Sequence, residues 1–453
     1  MYQNLQEHRI VRSATHLFVL DGVMFMKHRF SKSWGLLLDE EVSDRNYWVS
    51  KGKIPLGTIQ PQYFYDLDDK GKPKIPEKEI VTMQMDSINI SHAQRDAMNI
   101  LLLGGSGDGK SLILKSIWYY LHNAGYYTCY IDPYKDNSGW AMQKWQDKDS
   151  MFIAPHQEPE GIRLQHFMPE WSARKYELFK HNFRIYSSRL YKITEQEMWE
   201  SLGMTNKAST AVVRIINKYG ENLSIGSLIG LLNEMYADQQ ITFPTLGNAE
   251  QVLINLKSYD VINDDLPELE LMNEWKKGNS VVISYNNASK TFLTYDIGRL
   301  IRQSSRYVPE LGNKIPVMFF FDDGSAYAGD FRSNNVMTNY ALEEIKNIGN
   351  NYRGMGLYNT LAVQSLKIID SGVAETYKKK LISPIFQSPD SLNDINIPRR
   401  AIQYIRDGRL IADKKKHLMQ WLYITEDNDV IPLFPFTSPS NHFKPIYRPK
   451  GVE

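Results

Sequence analysis

The chain has 453 residues, a formal net charge of +1, 42% hydrophobic residues and 23% charged residues. This length predicts two or three domains, and the composition is typical of a folded soluble protein rather than a disordered or membrane protein. The near-neutral charge excludes a polycation, and the single cysteine, Cys129, excludes a disulfide framework or a multi-cysteine zinc site. With no bilayer-length apolar run and no signal-peptide layout, we expect a cytoplasmic protein without membrane insertion.

In chain order, the predicted elements fall into four parts. β-prone runs at 15–26 and 34–38 open the chain, and alternation of strands and helices begins near residue 99. Helical periodicity then dominates, for example at 173–191 and 225–236, before the alternation resumes. The predicted division is an N-terminal β-rich region at 1–84, the first part of an α/β core at 85–164, an inserted all-α domain at 165–275, and the second part of the core with a basic C-terminal segment at 276–453.

A phosphate-binding loop follows the first predicted core strand, 99–103. Residues 104–111 read GGSGDGKS, which fits G-x4-G-K-S, and a helix is predicted over 110–123. Glycines let consecutive N–H groups curl around phosphate oxygens, and the helix presents its positive end to the same anion. Lys110 is predicted to reach the β- and γ-phosphates of ATP and Ser111 to hold Mg²⁺; the alternative is an ordinary glycine-rich turn. The predicted phosphate cradle is Gly104, Gly105, Ser106, Gly107, Asp108, Gly109, Lys110, Ser111 and Leu112.

An acidic pair ends a second predicted strand. Residues 317–321 are continuously apolar, as in a parallel strand covered on both faces, and Asp322 and Asp323 follow directly. Ligands bind at the carboxyl ends of such strands. Asp322 is therefore predicted to coordinate Mg²⁺ through water, and Asp323 to polarise the attacking water. The alternative is a strand exit with solvated aspartates.

A glutamine and an arginine flank another apolar strand, 357–363. Gln364 ends this strand, where an amide beside the γ-phosphate is expected to orient water or to report hydrolysis. Arg353 follows a helix predicted at 336–352, and it is a candidate for stabilising charge on ATP bound to a neighbouring subunit. The alternatives are a surface glutamine and an arginine that caps a helix.

The order of these features resembles the HerA/FtsK group of hexameric P-loop ATPases, which includes ATPases of conjugation, type IV secretion and viral packaging. Within these motifs the sequence departs from the common pattern of the group in two places: Asp323 stands where a glutamate is frequent, and Ser365 and Leu366 follow Gln364 where Arg-Pro is common in FtsK proteins. The resemblance lies in five stretches, NILLLGGSGDGKS at 99–111, YIDPYKD at 130–136, WKKGNSVVISY at 275–285, PVMFFFDD at 316–323 and RGMGLYNTLAVQS at 353–365.

The resemblance implies an α/β fold with a RecA-like P-loop core and a mostly parallel sheet. It also implies a homo-hexameric ring that uses ATP and Mg²⁺, with Arg353 completing the site of a neighbour. Double-stranded DNA is the implied substrate of the ring, and a nuclease, a relaxase or a capsid protein is the implied partner.

Two basic clusters are candidates for contacts with DNA phosphates, which require local positive charge. A solvated surface or a subunit contact is the alternative for each. The first cluster is Lys378, Lys379 and Lys380; the second is Arg399, Arg400, Arg406, Arg409, Lys414, Lys415 and Lys416.

The predicted function is ATP-driven translocation of double-stranded DNA in DNA processing, conjugative transfer or viral genome packaging. The protein would act in the cytoplasm or, if it is viral, in the virion or the host cytoplasm. The main alternative is an ATPase that powers protein secretion or assembly without DNA. A nucleotide-dependent switch with little turnover is a second alternative.

Overall fold

The structure is a computed structural model of the chain. No helix among the residues it describes is both long and apolar enough to span a membrane. The described residues are 47–64, 74–85, 98–133, 141–142, 153–157, 160, 161–173, 183–285, 289–310, 315–329, 339–366, 369–384, 392, 395, 397–413 and 418–440.

Strands and helices alternate through much of these ranges. The strands are β1 (Lys53–Thr58), β2 (Ile80–Gln84), β3 (Ile100–Leu103), β4 (Tyr127–Asp132), β5 (Leu164–Pro169), β6 (Phe183–Tyr186), β7 (Ser280–Ser284), β8 (Val317–Phe321), β9 (Leu357–Val363), β10 (Lys379–Ile382), β11 (Ala412–Asp413), β12 (Leu418–Met419), β13 (Trp421–Ile424) and β14 (Val430–Pro435). The α-helices are α1 (Tyr47–Ser50), α2 (Lys110–Asn123), α3 (Glu170–Ala173), α4 (Gln196–Ser201), α5 (Asn206–Tyr219), α6 (Ile225–Ala237), α7 (Phe243–Ser258), α8 (Leu271–Lys276), α9 (Lys290–Glu310), α10 (Tyr340–Asn347), α11 (Ser371–Glu375) and α12 (Arg399–Arg406).

One large mixed sheet organises the described part of the chain, in the order β2-β1-β14-β13-β10-β3-β9-β8-β4-β7-β5-β6. All neighbours from β10 to β6 are parallel, whereas the pairs from β10 through β13, β14 and β1 to β2 are antiparallel. Strands β3, β8 and β9 are buried at every residue, as parallel strands covered on both faces must be. The predicted α/β fold class with a mostly parallel sheet is confirmed.

A glycine follows the end of helix α2 and lies two residues before the next strand. Gly125 has φ of 90°, which lies in the left-handed region. Its N–H bonds to the carbonyl of His122 at 2.8 Å, and the N–H of Tyr126 bonds to the carbonyl of Leu121 at 3.0 Å. This Schellman arrangement satisfies the last carbonyls of the helix and turns the chain directly into β4.

The expectation of helix throughout 165–275 is wrong at its beginning. Strands β5 and β6 pair in parallel and extend the main sheet beyond β7. Within the segment 173–191, residues 183–186 form β6 because the free edge of β5 satisfies the hydrogen bonds of their backbone groups. The sequence alone could not show this, since so short an apolar run fits the repeat of a helix and the repeat of a strand equally well. The helices α4 to α7 occupy the later part of the range, as predicted.

The N-terminal region contributes to the same sheet. Strand β1 pairs with β14, and β2 pairs with β1, so both strands lie at the antiparallel edge. The β-prone runs at 15–26 and 34–38 lie outside the described residues. The division of the chain into separate domains stays a prediction.

A buried ion network joins the segment that carries helices α4 to α7 to helix α9. The guanidinium of Arg299 donates to Asp296 at 2.7 Å and to Glu268 at 3.0 Å, and all three side chains are almost fully buried. Glu268 also pairs with Lys192 at 2.6 Å. Because the removal of one partner leaves an uncompensated buried charge, this network holds the two parts in one arrangement.

Candidate active site

The sequence GGSGDGKS lies between β3 and α2, where the sequence predicts it. Gly107 and Gly109 have φ of 81° and 91°, a conformation that glycine adopts without strain. Gly109 is the N-cap of α2, and no side chain caps the helix there. The start of α2 therefore presents the positive end of the helix dipole to the adjoining loop, which favours an anion there.

The ammonium group of Lys110 lies within the loop. It donates to the carbonyl oxygens of Gly104 at 2.8 Å and of Gly105 at 2.7 Å, and the residue is only 8% exposed. A fixed positive charge is thus held beside the uncapped start of α2. Both features attract a phosphate group.

Asp108 fixes the loop to the end of a neighbouring strand. Its carboxylate Oδ2 accepts from the N–H of Gly105 and from the hydroxyl of Ser383, both at 2.6 Å. Ser383 follows β10, and its N–H donates to the carbonyl of Leu103 at 2.8 Å. Asp108 is a member of the predicted phosphate cradle, and its carboxylate contacts the loop and the residue that follows β10.

The loop also depends on a close approach at Gly104. A Cβ atom on this residue would lie 2.8 Å from Cβ of Ser383 and 3.1 Å from Cη2 of Trp421. Neither contact could be found from the sequence, since Ser383 is 275 residues from Asp108 and no motif marks Trp421. The glycine is therefore required for packing of the loop against these two residues.

The acidic pair lies at the carboxyl end of β8, as predicted. Asp322 is buried, and its carboxylate accepts from the hydroxyl of Tyr130 at 3.1 Å and from the N–H of Asp323 at 3.0 Å. Asp323 has φ of 49°, and its Oδ1 accepts from the hydroxyl of Ser325 at 3.0 Å. The left-handed turn at Asp323 gives the two carboxylates different surroundings, one buried and one half-exposed.

Gln364 contacts Asp323 directly. Its Nε2 lies 3.3 Å from Oδ1 and 3.4 Å from Oδ2 of that carboxylate. This contact follows from the strand order, because β9 lies between β3 and β8. Neighbouring strands are about 4.8 Å apart, so the phosphate loop and the acidic pair lie about 10 Å apart with Gln364 between them.

Two residues without a predicted role belong to the same edge. Tyr327 donates its hydroxyl proton to the carbonyl oxygen of Asp322 at 2.8 Å. Burial raises the pKa of Tyr327 well above its ordinary value, and the nearby carboxylates of Asp322, Asp323 and Asp132 raise it further. The tyrosine therefore stays neutral, and Asp132, buried at the end of β4, adds a third carboxylate to the neighbourhood.

Arg353 lies at the opposite end of the parallel strands, just before β9 begins. The helix predicted at 336–352 is α10 continued by a π-helical turn, Ile348–Tyr352, and Arg353 begins the short 3-10 turn that leads into β9. Strand β9 alone spans about 20 Å, which an arginine side chain cannot cover. The structure thus brings Gln364 and Asp323 together and places Arg353 away from them.

The first basic cluster is not the surface feature that the sequence suggests. Lys379 and Lys380 belong to β10, between β3 and β13, and both are buried. Burial lowers the pKa of Lys380. The predictions of a DNA-binding patch and of a solvated or subunit-contact surface are therefore both wrong for these two residues. Of this cluster, only Lys378 is exposed.

The second basic cluster is exposed where the structure describes it. Arg399, Arg400, Arg406 and Arg409 are all exposed on or just after α12. The guanidinium groups of Arg400 and Arg409 lie over the ring of Tyr404, 5.8 Å and 5.9 Å from its centroid. Lys414, Lys415 and Lys416 lie outside the described residues.

Comparison with known proteins identifies the fold. No family model matches the sequence, and no curated protein sequence matches it. VirB4 of Thermoanaerobacter pseudethanolicus is similar in structure, with a TM-score of 0.52 over 85% of this chain and 97% of that one at 10% identity. The chain has a RecA-like P-loop fold. The predicted likeness to the HerA/FtsK group is thereby confirmed for the fold.

Two further solved structures align with lower scores. One is the bacterial conjugative coupling protein TrwB, with a TM-score of 0.45 and 12% identity over 84% of this chain and 86% of that one. Other structures of TrwB contain ADP and Mg²⁺. The genome-packaging NTPase B204 of Sulfolobus turreted icosahedral virus 2 has a TM-score of 0.35 and 10% identity over 76% of this chain and 98% of that one.

Proposed function

We propose that the chain is a Mg²⁺-dependent ATPase that drives translocation of double-stranded DNA as a homo-hexameric ring. The observation that carries the enzymatic part is the contact between Gln364 and Asp323 at the sheet edge that also carries the phosphate loop. Three segments far apart in sequence, at 104–112, 322–323 and 364, meet there. Adjacent parallel strands bring these segments to one end of the sheet, and the groups that meet there, a phosphate loop, two carboxylates and an amide, are those that ATP hydrolysis requires.

The residues at this edge fit ATP and Mg²⁺. Left-handed glycines and an uncapped helix start offer N–H groups to phosphate oxygens, and Lys110 offers a positive charge. Ser111 and the buried carboxylate of Asp322 supply oxygen atoms, which Mg²⁺ prefers. When bound, Mg²⁺ neutralises charge on the phosphates.

Hydrolysis needs a water molecule in line with the γ-phosphate and a group that accepts its proton. Asp323 is half-exposed and bonded to Gln364, so the pair presents a carboxylate and an amide side by side. We assign Asp323 the role of polarising the water and Gln364 the role of orienting it. The Tyr327 hydroxyl holds the backbone of Asp322 in place and thereby fixes the turn that carries Asp323.

Arg353 is assigned to the site of a neighbouring subunit. It lies at the amino end of β9, whereas the phosphate loop of its own chain lies at the carboxyl edge. A guanidinium group supplied by a neighbour would stabilise charge on the transferring phosphoryl group. This assignment requires a ring, which the proposed hexamer provides.

DNA is the proposed substrate of the ring because exposed arginines cluster on and after α12. The burial of Lys379 and Lys380 removes the other predicted cluster from the surface and favours the alternative, an ATPase that drives protein secretion or assembly. The two functions differ in their response to DNA. A cytoplasmic location and a nuclease, relaxase or capsid partner remain part of the proposal.

The test measures the ATPase rate of assembled rings with and without long double-stranded DNA across a salt series. Stimulation that fades as salt rises is the expected result, since phosphate contacts release counterions. Replacement of Arg399, Arg400 and Arg406 by glutamine is expected to remove most of the stimulation and to leave the basal rate unchanged.

A control variant loses the same charge elsewhere. Lys207, Arg214 and Lys218 are exposed on α5, and their replacement by glutamine is expected to preserve the response to DNA. Rings that hydrolyse ATP at a rate indifferent to DNA at every salt concentration would establish the secretion or assembly alternative instead.

A further inference from the structure

Arg302 of helix α9 connects two parts of the molecule that the sequence does not relate. Its Nη1 donates to the hydroxyl of Tyr352 at 2.8 Å, and its Nε donates to the carboxylate of Glu195 at 3.2 Å. Glu195 is the N-cap of α4, in the helical segment 190–276. Tyr352 is the last residue of the π-helical turn and immediately precedes Arg353.

The hydroxyl of Tyr352 is fixed from two sides. It accepts from Arg302 and donates to the carboxylate of Glu344 at 3.0 Å. Both Tyr352 and Glu344 are buried, and Asn347 donates to the other oxygen of the same carboxylate at 3.2 Å. With its one proton donated and a charged donor on its oxygen, the tyrosine side chain has one favourable orientation.

Glu195 is held in turn by several groups of the core. Its carboxylate accepts from Arg302, from Arg306 and from the hydroxyl of Tyr340. Arg306 is one helical turn beyond Arg302, and its guanidinium group contacts Glu195. A single carboxylate of the helical segment thus lies at the start of a chain of hydrogen bonds that ends beside Arg353.

The π-helical turn itself is packed closely against its other neighbour. A Cβ atom on Gly349 would lie 2.4 Å from Cβ of Thr376, just after α11. π-Helical turns are rare and are frequently found at functional sites. The backbone that carries Arg353 is therefore fixed by packing at Gly349 and by hydrogen bonds at Tyr352.

We propose that Arg302 is a positioning residue: held by Glu195, it fixes Tyr352 and so sets the placement of Arg353 for ATP bound to a neighbouring subunit. This inference rests on the proposed function of Arg353.

The test uses Tyr352→Phe, which keeps the buried ring and removes only the hydroxyl. We expect kcat to fall about tenfold, which corresponds to the loss of one hydrogen bond to a charged group, while KM for ATP stays unchanged. Arg302→Gln is expected to have the same effect. Because the side chain of Arg302 is half-exposed, we expect this variant to fold. Melting temperatures equal to that of the wild type would show that both variants are folded.

Arg306→Gln is the matched control. It removes the same charge from the same helix and breaks a contact with the same carboxylate, but it leaves the hydrogen bond to Tyr352 in place. We expect the rate of the wild type. A loss as large as that of Arg302→Gln would mean that charge near Glu195 matters rather than the contact with Tyr352, and it would overturn the inference.

Mixed rings separate a positioning role from damage within the same subunit. Subunits with Asp323→Asn keep an intact Arg353 and cannot hydrolyse ATP under the proposed function. Added to Tyr352→Phe subunits, they are expected to restore part of the rate. The absence of restoration at any ratio would place the defect within the variant subunit and would also overturn the inference.

Arg353→Ala distinguishes failure of the inference from failure of the proposed function. If Arg353→Ala loses turnover while Tyr352→Phe and Arg302→Gln keep the wild-type kcat, only the positioning role of Arg302 is wrong. If Arg353→Ala itself keeps full turnover, the proposed role of this arginine is wrong, and the inference built on it is wrong as well.

Discussion

The two ends of strand β9 carry different parts of the proposed machinery. At the carboxyl end, Gln364 contacts Asp323 and lies between the phosphate loop and the acidic pair. At the amino end, a π-helical turn and a short 3-10 turn hold Arg353 beside the helical segment. One strand therefore separates the residues proposed to bind and hydrolyse ATP from the residue assigned to a neighbour.

The difference follows from the physics of parallel sheets. All carboxyl ends of parallel strands meet at one edge, so motifs that end strands converge without any local signal of their own. A residue that precedes a strand lies at the other edge, about 20 Å away for a strand of this length. In the proposed ring, a subunit is complete only with its neighbour.

The largest expected effect is at the carboxyl edge. Lys110→Ala should abolish ATP hydrolysis, since it removes the only positive charge that we assign to the phosphates within the same chain. The measurement is phosphate release under saturating ATP. Lys207→Ala, on the exposed face of α5, serves as the control and should keep the wild-type rate. Wild-type turnover by the Lys110 variant would overturn the assignment of the phosphate loop.

Arg353→Ala should separate the two ends. We expect ATP affinity to stay within about twofold while turnover falls about 10³-fold, as for an arginine supplied to the transition state. Nucleotide binding and single-turnover hydrolysis measure the two quantities separately. A loss of affinity as large as the loss of rate would mean that Arg353 serves ground-state binding.

Gln364→Ala should have a smaller effect at the carboxyl edge. The variant removes one neutral donor, so kcat is expected to fall about 10²-fold with little change in KM for ATP. Steady-state kinetics measure both. The assignment would be wrong if KM rose and kcat did not change, since a water-orienting group acts on the chemical step.

The smallest expected effect concerns the packing of the amino end. Gly349→Ala should lower the free energy of unfolding by about 1–3 kcal/mol, because the new Cβ atom overlaps Thr376. Gly354→Ala is the control in the adjoining 3-10 turn: apart from its own chain neighbours, no atom of the described residues lies within 4 Å of its Cβ position, and we expect a change within about 0.5 kcal/mol. Urea denaturation of both variants decides whether tight packing holds the turn; equal stability would contradict it.

Much of the carboxyl edge could be predicted from the sequence. The loop at 104–111, the strand before Asp322 and the strand before Gln364 all have local signals, since each consists of a short apolar run and the residues that follow it. The helix from Lys110 to Asn123 and its end at Gly125 are confirmed for the same reason. Local propensity and motif chemistry agree in these segments.

Other features were decided by tertiary structure alone. Residues 183–186 became a strand because β5 offers a free edge, and Lys379 and Lys380 became buried because β10 pairs on both sides. The contact between Asp108 and Ser383 joins residues 275 positions apart, and no local pattern encodes it. The sequence by itself determined which chemical groups end which strands. Only the order of strands in the sheet decided which of those groups meet, since hydrogen bonding between strands pairs segments irrespective of their distance along the chain.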